Sequence, residues 1–152
     1  MKRLSMLALA FALVLSMAAC GAPKTMDIAA VKAQIVEQVQ PVDPLDLPGE
    51  RLGELYGIAA EDVKASACFI TMSGAFPDEV VIVEATDAAA ADRIEGKLRQ
   101  RLEDVTNQAQ NYDAESFALL QKCKVQRIGN YLALFISAEN AAMQEIFNQA
   151  AK

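Results

Sequence analysis

The sequence predicts a single α+β domain whose sheet, of about four antiparallel or mixed strands, is built from two β-hairpins joined by a long helix. Three observations predict it. Two pairs of β-rich runs, Ala67 to Met72 with Val80 to Ala85 and Cys123 to Ile128 with Tyr131 to Ser137, are each divided by turn-forming residues. Between the pairs, from about Ala88 to Asn111, apolar residues recur at helical spacing. Shorter stretches of the same period stand near both ends, so N- and C-terminal helices should pack on the sheet.

Residues 1–20 read as a lipoprotein signal peptide with its modified cysteine. Lys2 and Arg3 supply a positive start, Leu4 to Leu15 an apolar run too short to span a bilayer with margin, and Met17-Ala18-Ala19 lead into Cys20. Met17 stands where Leu is usual, with similar volume. The expected organisation is a leader at residues 1–19, a lipidated tether at residues 20–26 and one domain at residues 27–152. Each buried CH₂ of an acyl chain contributes about 0.8 kcal/mol, so the two chains of a diacylglyceryl group on Cys20 suffice for stable anchoring. The expected location is the extracytoplasmic face of the cell membrane.

In chain order, Asp27 can cap a helix whose Ile28, Val31, Ile35 and Val39 share one face. Pro41, Pro44 and Pro48 then impose a rigid extended connector. Glu50 to Tyr56 reads as a short helix broken by Gly57, and Ala59 to Val63 as a further turn or two. The first hairpin follows, turning through Ser73 to Asp78. Thr86 or Asp87 caps the long helix, where Ala91, Ile94, Leu98, Leu102, Val105 and Ala109 form one stripe and Arg93, Lys97, Arg101 and Glu103 lie off it. Ala114 to Gln121 makes a short extra helix. The second hairpin turns through Gly129-Asn130, and Ser137 caps a last helix with Ala142, Met143, Ile146, Phe147 and Ala150 on one face.

A two-residue turn sets the register of that second hairpin, because Ile128 must then face Tyr131. Cys123, Val125, Leu132, Leu134 and Ile136 share the better core face. If helices cover mainly one side, Ile128, Tyr131 and Phe135 form an exposed interaction patch on the other; if the N-terminal helix folds back, they are core. Cys68 and Cys123 are candidates for a disulfide outside the cytoplasm, and equally for two buried thiols.

Composition excludes more chemistry than any motif adds. The 152 residues contain no His, so Ser-His-Asp and Cys-His hydrolysis, His-ligated zinc and His-based acid catalysis are outside this chain's means. No phosphate-binding Gly-rich loop stands in the sequence, and no metal or cofactor is expected. The formal charge is −6, and losing Lys2 and Arg3 with the leader makes the remainder more acidic, which disfavours nucleic acid as a partner. Asp43, Asp46 and Glu50 lack the ligand spacing of a calcium loop. The carboxylate pairs Glu61-Asp62 and Asp78-Glu79 read as solvated surface acids, with a carboxylate-only hydrolase as the remote alternative.

Three ordered pieces resemble a known family. Leu55-Tyr56-Gly57-Ile58 with Glu61-Asp62-Val63, then Asp78-Glu79-Val80-Val81-Ile82-Val83, and last Gly129-Asn130-Tyr131-Leu132-Ala133-Leu134-Phe135-Ile136-Ser137 are similar to the bacterial lipoproteins grouped as domain of unknown function 4358, over roughly residues 50–149. The resemblance implies a membrane-anchored extracytoplasmic domain, chiefly of Gram-positive bacteria, and carries over no catalytic or binding residue. Ala88 to Ala91 depart toward a plainer helix start. The function expected is a non-enzymatic module that binds an unknown protein or small molecule, or else an accessory or assembly subunit of an envelope or transport complex.

Overall fold

The computed structural model describes residues 25–72 and 77–151, so the expected leader and Cys20 lie outside the described residues. Asp27 accepts a hydrogen bond from the Ala30 backbone N–H at 3.0 Å and starts α1 (Ile28–Val39). Gln40 closes it in the left-handed conformation, its N–H reaching Val36 O. The chain then extends through β1 (Pro44–Leu47), turns at a 3₁₀ segment (Gly49–Arg51), and forms α2 (Leu52–Tyr56), which ends at Gly57 with φ 66°. A second 3₁₀ turn (Ala60–Asp62) leads into β2 (Val63–Ser66) and β3 (Cys68–Thr71).

After β4 (Glu79–Ala85), Asp87 caps α3 (Ala88–Tyr112), accepting from Ala90 N–H at 2.7 Å. Asp113 caps α4 (Ala114–Leu120) in the same manner. β5 (Val125–Ile128) and β6 (Tyr131–Ile136) form the second hairpin, with Ile128 opposite Tyr131 as the turn length requires. α5 (Asn140–Ala150) ends the fold. Ser137 does not stand at its first turn; its hydroxyl accepts from Glu139 N–H at 3.2 Å, ordering the bend before the helix.

Among the described residues the sheet has six strands, all paired antiparallel, in the order β1-β3-β4-β6-β5 with β2 also against β4. Two strands therefore exceed the expected four. β1 comes from the proline-rich connector: its extended conformation was legible, but it also pairs, with Pro44 opposite Thr71 at the sheet edge where a missing N–H is tolerated. β2 arises because the chain straightens after Asp62 and lies along β4 beyond β3. Ala67 N–H bonds Ile82 O at 2.9 Å, so β2 and β3 act as one bent strand.

Helices cover both faces of this sheet, not mainly one. On one face α2, α3 and α4 bury Val81, Val83, Leu132, Leu134 and Ile136; on the other α1 and α5 bury Val80, Ile82, Ala133 and Phe135. Full burial of each such aliphatic or aromatic side chain stabilises by roughly 1.5–3 kcal/mol. Phe135 meets Phe147 of α5 edge-on, ring centroids 6.1 Å apart.

Candidate functional site

Of the two arrangements open for Ile128, Tyr131 and Phe135, the structure takes the one in which the N-terminal helix folds back and they are core, not an exposed interaction patch. Phe135 is 0% and Tyr131 7% exposed, because α1 folds back beside α5 and closes that face, and Ile128 packs half-buried against the same cluster. Tyr131 does further work at the start of β6. Its hydroxyl accepts from Met26 N–H at 3.1 Å and donates to Glu84 Oε1 at 3.2 Å, while Lys64 Nζ holds the same carboxylate at 2.7 Å. The chain from the N-terminus is thereby pinned to the Tyr131 end of the sheet.

Among the described residues, Cys68 and Cys123 are both free and buried. Cys68 begins β3 and Cys123 precedes β5, and since β4 and β6 run between those strands, about three 4.8 Å strand spacings separate the lines on which the thiols stand. A disulfide is excluded by that spacing. Burial pushes the Cys68 thiol up to about 11 and raises that of Cys123, so neither is a nucleophile near neutral pH.

The carboxylate pairs correct the surface reading. One member of each, Asp62 and Glu79, is buried, and each is held by an arginine of α3. Arg93 grips Asp62 through two nitrogens, Nε donating at 3.0 Å, and holds its carboxyl below the usual range. Arg101 forms the equivalent fork on Glu79. Tyr56 Oη donates to Glu79 Oε2 at 3.0 Å, and Arg101 lies over the Tyr56 ring, 5.8 Å from its centroid. Nothing adjacent to either acid in the sequence marks it as buried. A usable signal stood in the sequence: Arg93 and Arg101 flank the apolar stripe at Ile94 and Leu102, which puts them at the edge of the buried face.

A cavity of about 140 Å³ opens beside this cluster, lined by Leu55, Tyr56, Ile70, Pro77, Glu79 and Arg101. A larger groove of about 400 Å³ runs between the Gly57 turn and α3 past Ile58, Arg93, Gly96 and Lys97. A third, of about 380 Å³, lies between α3 and the segment around Cys123. Among the described residues no three His, Cys, Asp or Glu side chains converge as metal ligands, and Asp43, Asp46 and Glu50 stay apart. No described helix is long and apolar enough to cross a membrane.

The large exposed apolar side chains gather at one end. Ile136 pairs with Glu79, Glu79 with Ile70, and Thr71 with Pro44, so the C-terminal end of β6, the start of β4, the end of β3 and the start of β1 share the end of the sheet away from Tyr131. Val42 (62% exposed), Leu45 (57%) and Met72 (73%) lie there, and Leu55 lines the cavity beside Ile70. Tyr112 ends α3 beyond Arg101, on the same side. None of these was a candidate from sequence.

Neither the curated proteins nor the solved structures contain a match to this chain. The family model described as Domain of unknown function (DUF4358) matches residues 38–137, from the end of α1 through β6 and Ser137. That span takes in the whole sheet, the Tyr56–Glu79–Arg101 cluster and the Asp62–Arg93 pair, and on it the chain belongs to the family of domain of unknown function 4358.

Proposed function

We propose that the chain is a lipid-anchored extracytoplasmic binding module without catalysis of its own, tethered by a diacylglyceryl group on Cys20. The observation that carries this reading is the separation of the two ends of the sheet. Met26 enters under Tyr131 at one end, while Val42, Leu45 and Met72 stand exposed at the other. From Cys20 to Met26 a fully extended chain spans at most about 20 Å, so an acylated Cys20 would keep the Tyr131 end beside the bilayer and turn the apolar end outward. The buried acids support a binding role over hydrolysis. A glycosidase-type pair must share a space with its carboxyls roughly 5–10 Å apart. Here Asp62 and Glu79 are each tied to an arginine, and those arginines stand about 12 Å apart along α3.

Metabolic labelling with palmitate tests the anchor. Cys20→Ala or globomycin should abolish the label and release the chain from the membrane fraction, and labelling that survives either treatment overturns the reading. Crosslinking followed by pull-down from intact membranes separates the two forms of binding. A stoichiometric protein partner identifies an accessory or assembly subunit, and its absence a small-molecule binder.

A further inference from the structure

We propose that the groove between the Gly57 turn and α3 binds a small organic monocarboxylate, with the carboxylate on Lys97 Nζ and an apolar body over Gly96. This rests on the binding-module reading above and names a site and a ligand class for its small-molecule form. At about 400 Å³ the groove falls within the span of roughly 300–1,000 Å³ usual for such sites.

Gly96 is the first indication. It stands inside α3, where glycine is the poorest helix former after proline, and a Cβ built on it meets nothing within 4 Å. Packing among the described residues therefore gives no reason for the missing side chain. What its absence does is leave bare helix backbone on the groove, where the body of a ligand can approach closely. Ile58 and Ile94 also line the groove and make its floor apolar.

Lys97 is the second. Its side chain reaches across from α3 to the turn, where Nζ lies 3.6 Å from the position a Gly57 Cβ would take. Gly57 closes α2, and the carbonyl end of a helix favours a cation, which keeps the ammonium at the turn. Of the charged side chains lining the groove, Asp62 is taken by Arg93 and Asp92 by Arg127. Lys97 alone among them has neither an ion pair nor a hydrogen bond from Nζ among the described residues.

Charge selects the ligand. An ammonium with free N–H groups donates to a carboxylate in a charge-assisted bond. One helical turn toward the start of α3, Glu61 and Asp87 both act on Arg93, so that end of the groove is acidic. A second negative charge would be repelled there, which favours a monocarboxylate over a dicarboxylate or a phosphate ester.

The test follows acetylation of lysines by sulfosuccinimidyl acetate in the full chain on isolated membranes, read residue by residue by mass spectrometry. Hexanoate and 4-phenylbutyrate should each slow modification of Lys97 about tenfold near saturation and leave the exposed Lys122 unchanged. 4-Phenylbutanol and 4-phenylbutylamine keep the apolar body, lose the carboxylate and should not protect. Gly96→Leu puts a good helix former on the groove floor, so the chain should keep its thermal midpoint while protection is lost. Lys97 left unprotected by both acids, equal protection by the alcohol or the amine, equal slowing at Lys122, or protection that survives Gly96→Leu each overturn the proposal. The probes on the unaltered chain decide it even where Gly96→Leu fails to fold. Palmitate labelling of the source cultures reads the anchor separately, so a labelled chain whose Lys97 stays unprotected sinks this site alone.

Discussion

Tyr56 Oη and Glu79 Oε2 lie 3.0 Å apart across 23 residues of sequence, joining the end of α2 to the first residue of β4. With Arg101 on the same carboxylate, this bond ties three elements together at the end of the sheet away from Tyr131. Burial and the Glu79 carboxylate push the Tyr56 phenol far up, so it stays a donor throughout the accessible pH range. Removing the hydroxyl alone with Tyr56→Phe should cost about 1 kcal/mol in urea unfolding. Arg101→Met should cost more, about 2–3 kcal/mol, since it strands a buried carboxylate, and adding Glu79→Gln to it should recover part of the loss. Strict additivity of the two would show that the ion pair is not coupled.

Acid should weaken the fold through Asp62. Its folded pKa is depressed by the Arg93 hydrogen bonds, so the pair contributes stability above the ordinary carboxylate value of 3.8 and loses it as pH falls through the lower folded value. Glu95, held down by Arg99, and Asp113, held down by Ser116, act with the same sign. Asp78 opposes them, because burial raises its pKa and protonation there favours the folded state. Asp62→Asn should therefore flatten the acid limb of a stability-against-pH curve below about pH 4. An unchanged limb would mean that Arg93 does not hold the carboxylate.

What was legible in the sequence was local. Asp27 caps where its spacing to apolar residues says it should, Asp87 is the one of Thr86 and Asp87 that caps the long helix, and the two-residue turn at Gly129-Asn130 fixes Ile128 against Tyr131. The fold-back of the N-terminal helix over Tyr131 and Phe135, one of the two outcomes the sequence allows, is written there too. Val80 to Val83 and Tyr131 to Ile136 are apolar at consecutive positions, with no alternation, and a half-solvated strand does not look like that. The outward patch could not be read, because exposure of Leu45 and Met72 depends on β1 being the edge strand, and strand order is a long-range outcome that no local pattern encodes. Asp62 and Glu79 escaped for the same reason: an acid becomes buried only when a distant arginine meets it.

Thiol chemistry offers a check on that strand order. With β4 and β6 between the cysteine-bearing segments, alkylation with and without prior reduction should give the same masses. Iodoacetamide at pH 8 should modify Cys68 only as fast as the protein opens, since its thiol is buried and its pKa pushed up to about 11. Rapid native labelling of Cys68 would contradict the burial, and a reductant-dependent mass the topology.

Two substitutions separate the buried face from the outward one. Phe135→Ala removes a fully enclosed ring that packs on Phe147 and should cost about 3–5 kcal/mol. Leu45→Ser, on exposed surface, should stay within about 0.5 kcal/mol of the parent. Equal effects in chemical denaturation would erase the distinction between core and exposed face.

Gly96 and Gly57 both line the groove of about 400 Å³, and replacing each by alanine should move stability in opposite directions. Gly96 lies inside α3, and a Cβ there meets nothing within 4 Å, so Gly96→Ala gains helix propensity without a clash, about 0.5–1 kcal/mol. Gly57 holds φ 66° at the end of α2, and its Cβ would come to 3.6 Å from Lys97 Nζ. Contact at that distance is tolerable; the left-handed backbone is not, and Gly57→Ala should lose about 1 kcal/mol. Thermal melts of the two variants measure both signs, and a destabilised Gly96→Ala would mean that the groove floor is filled in solution.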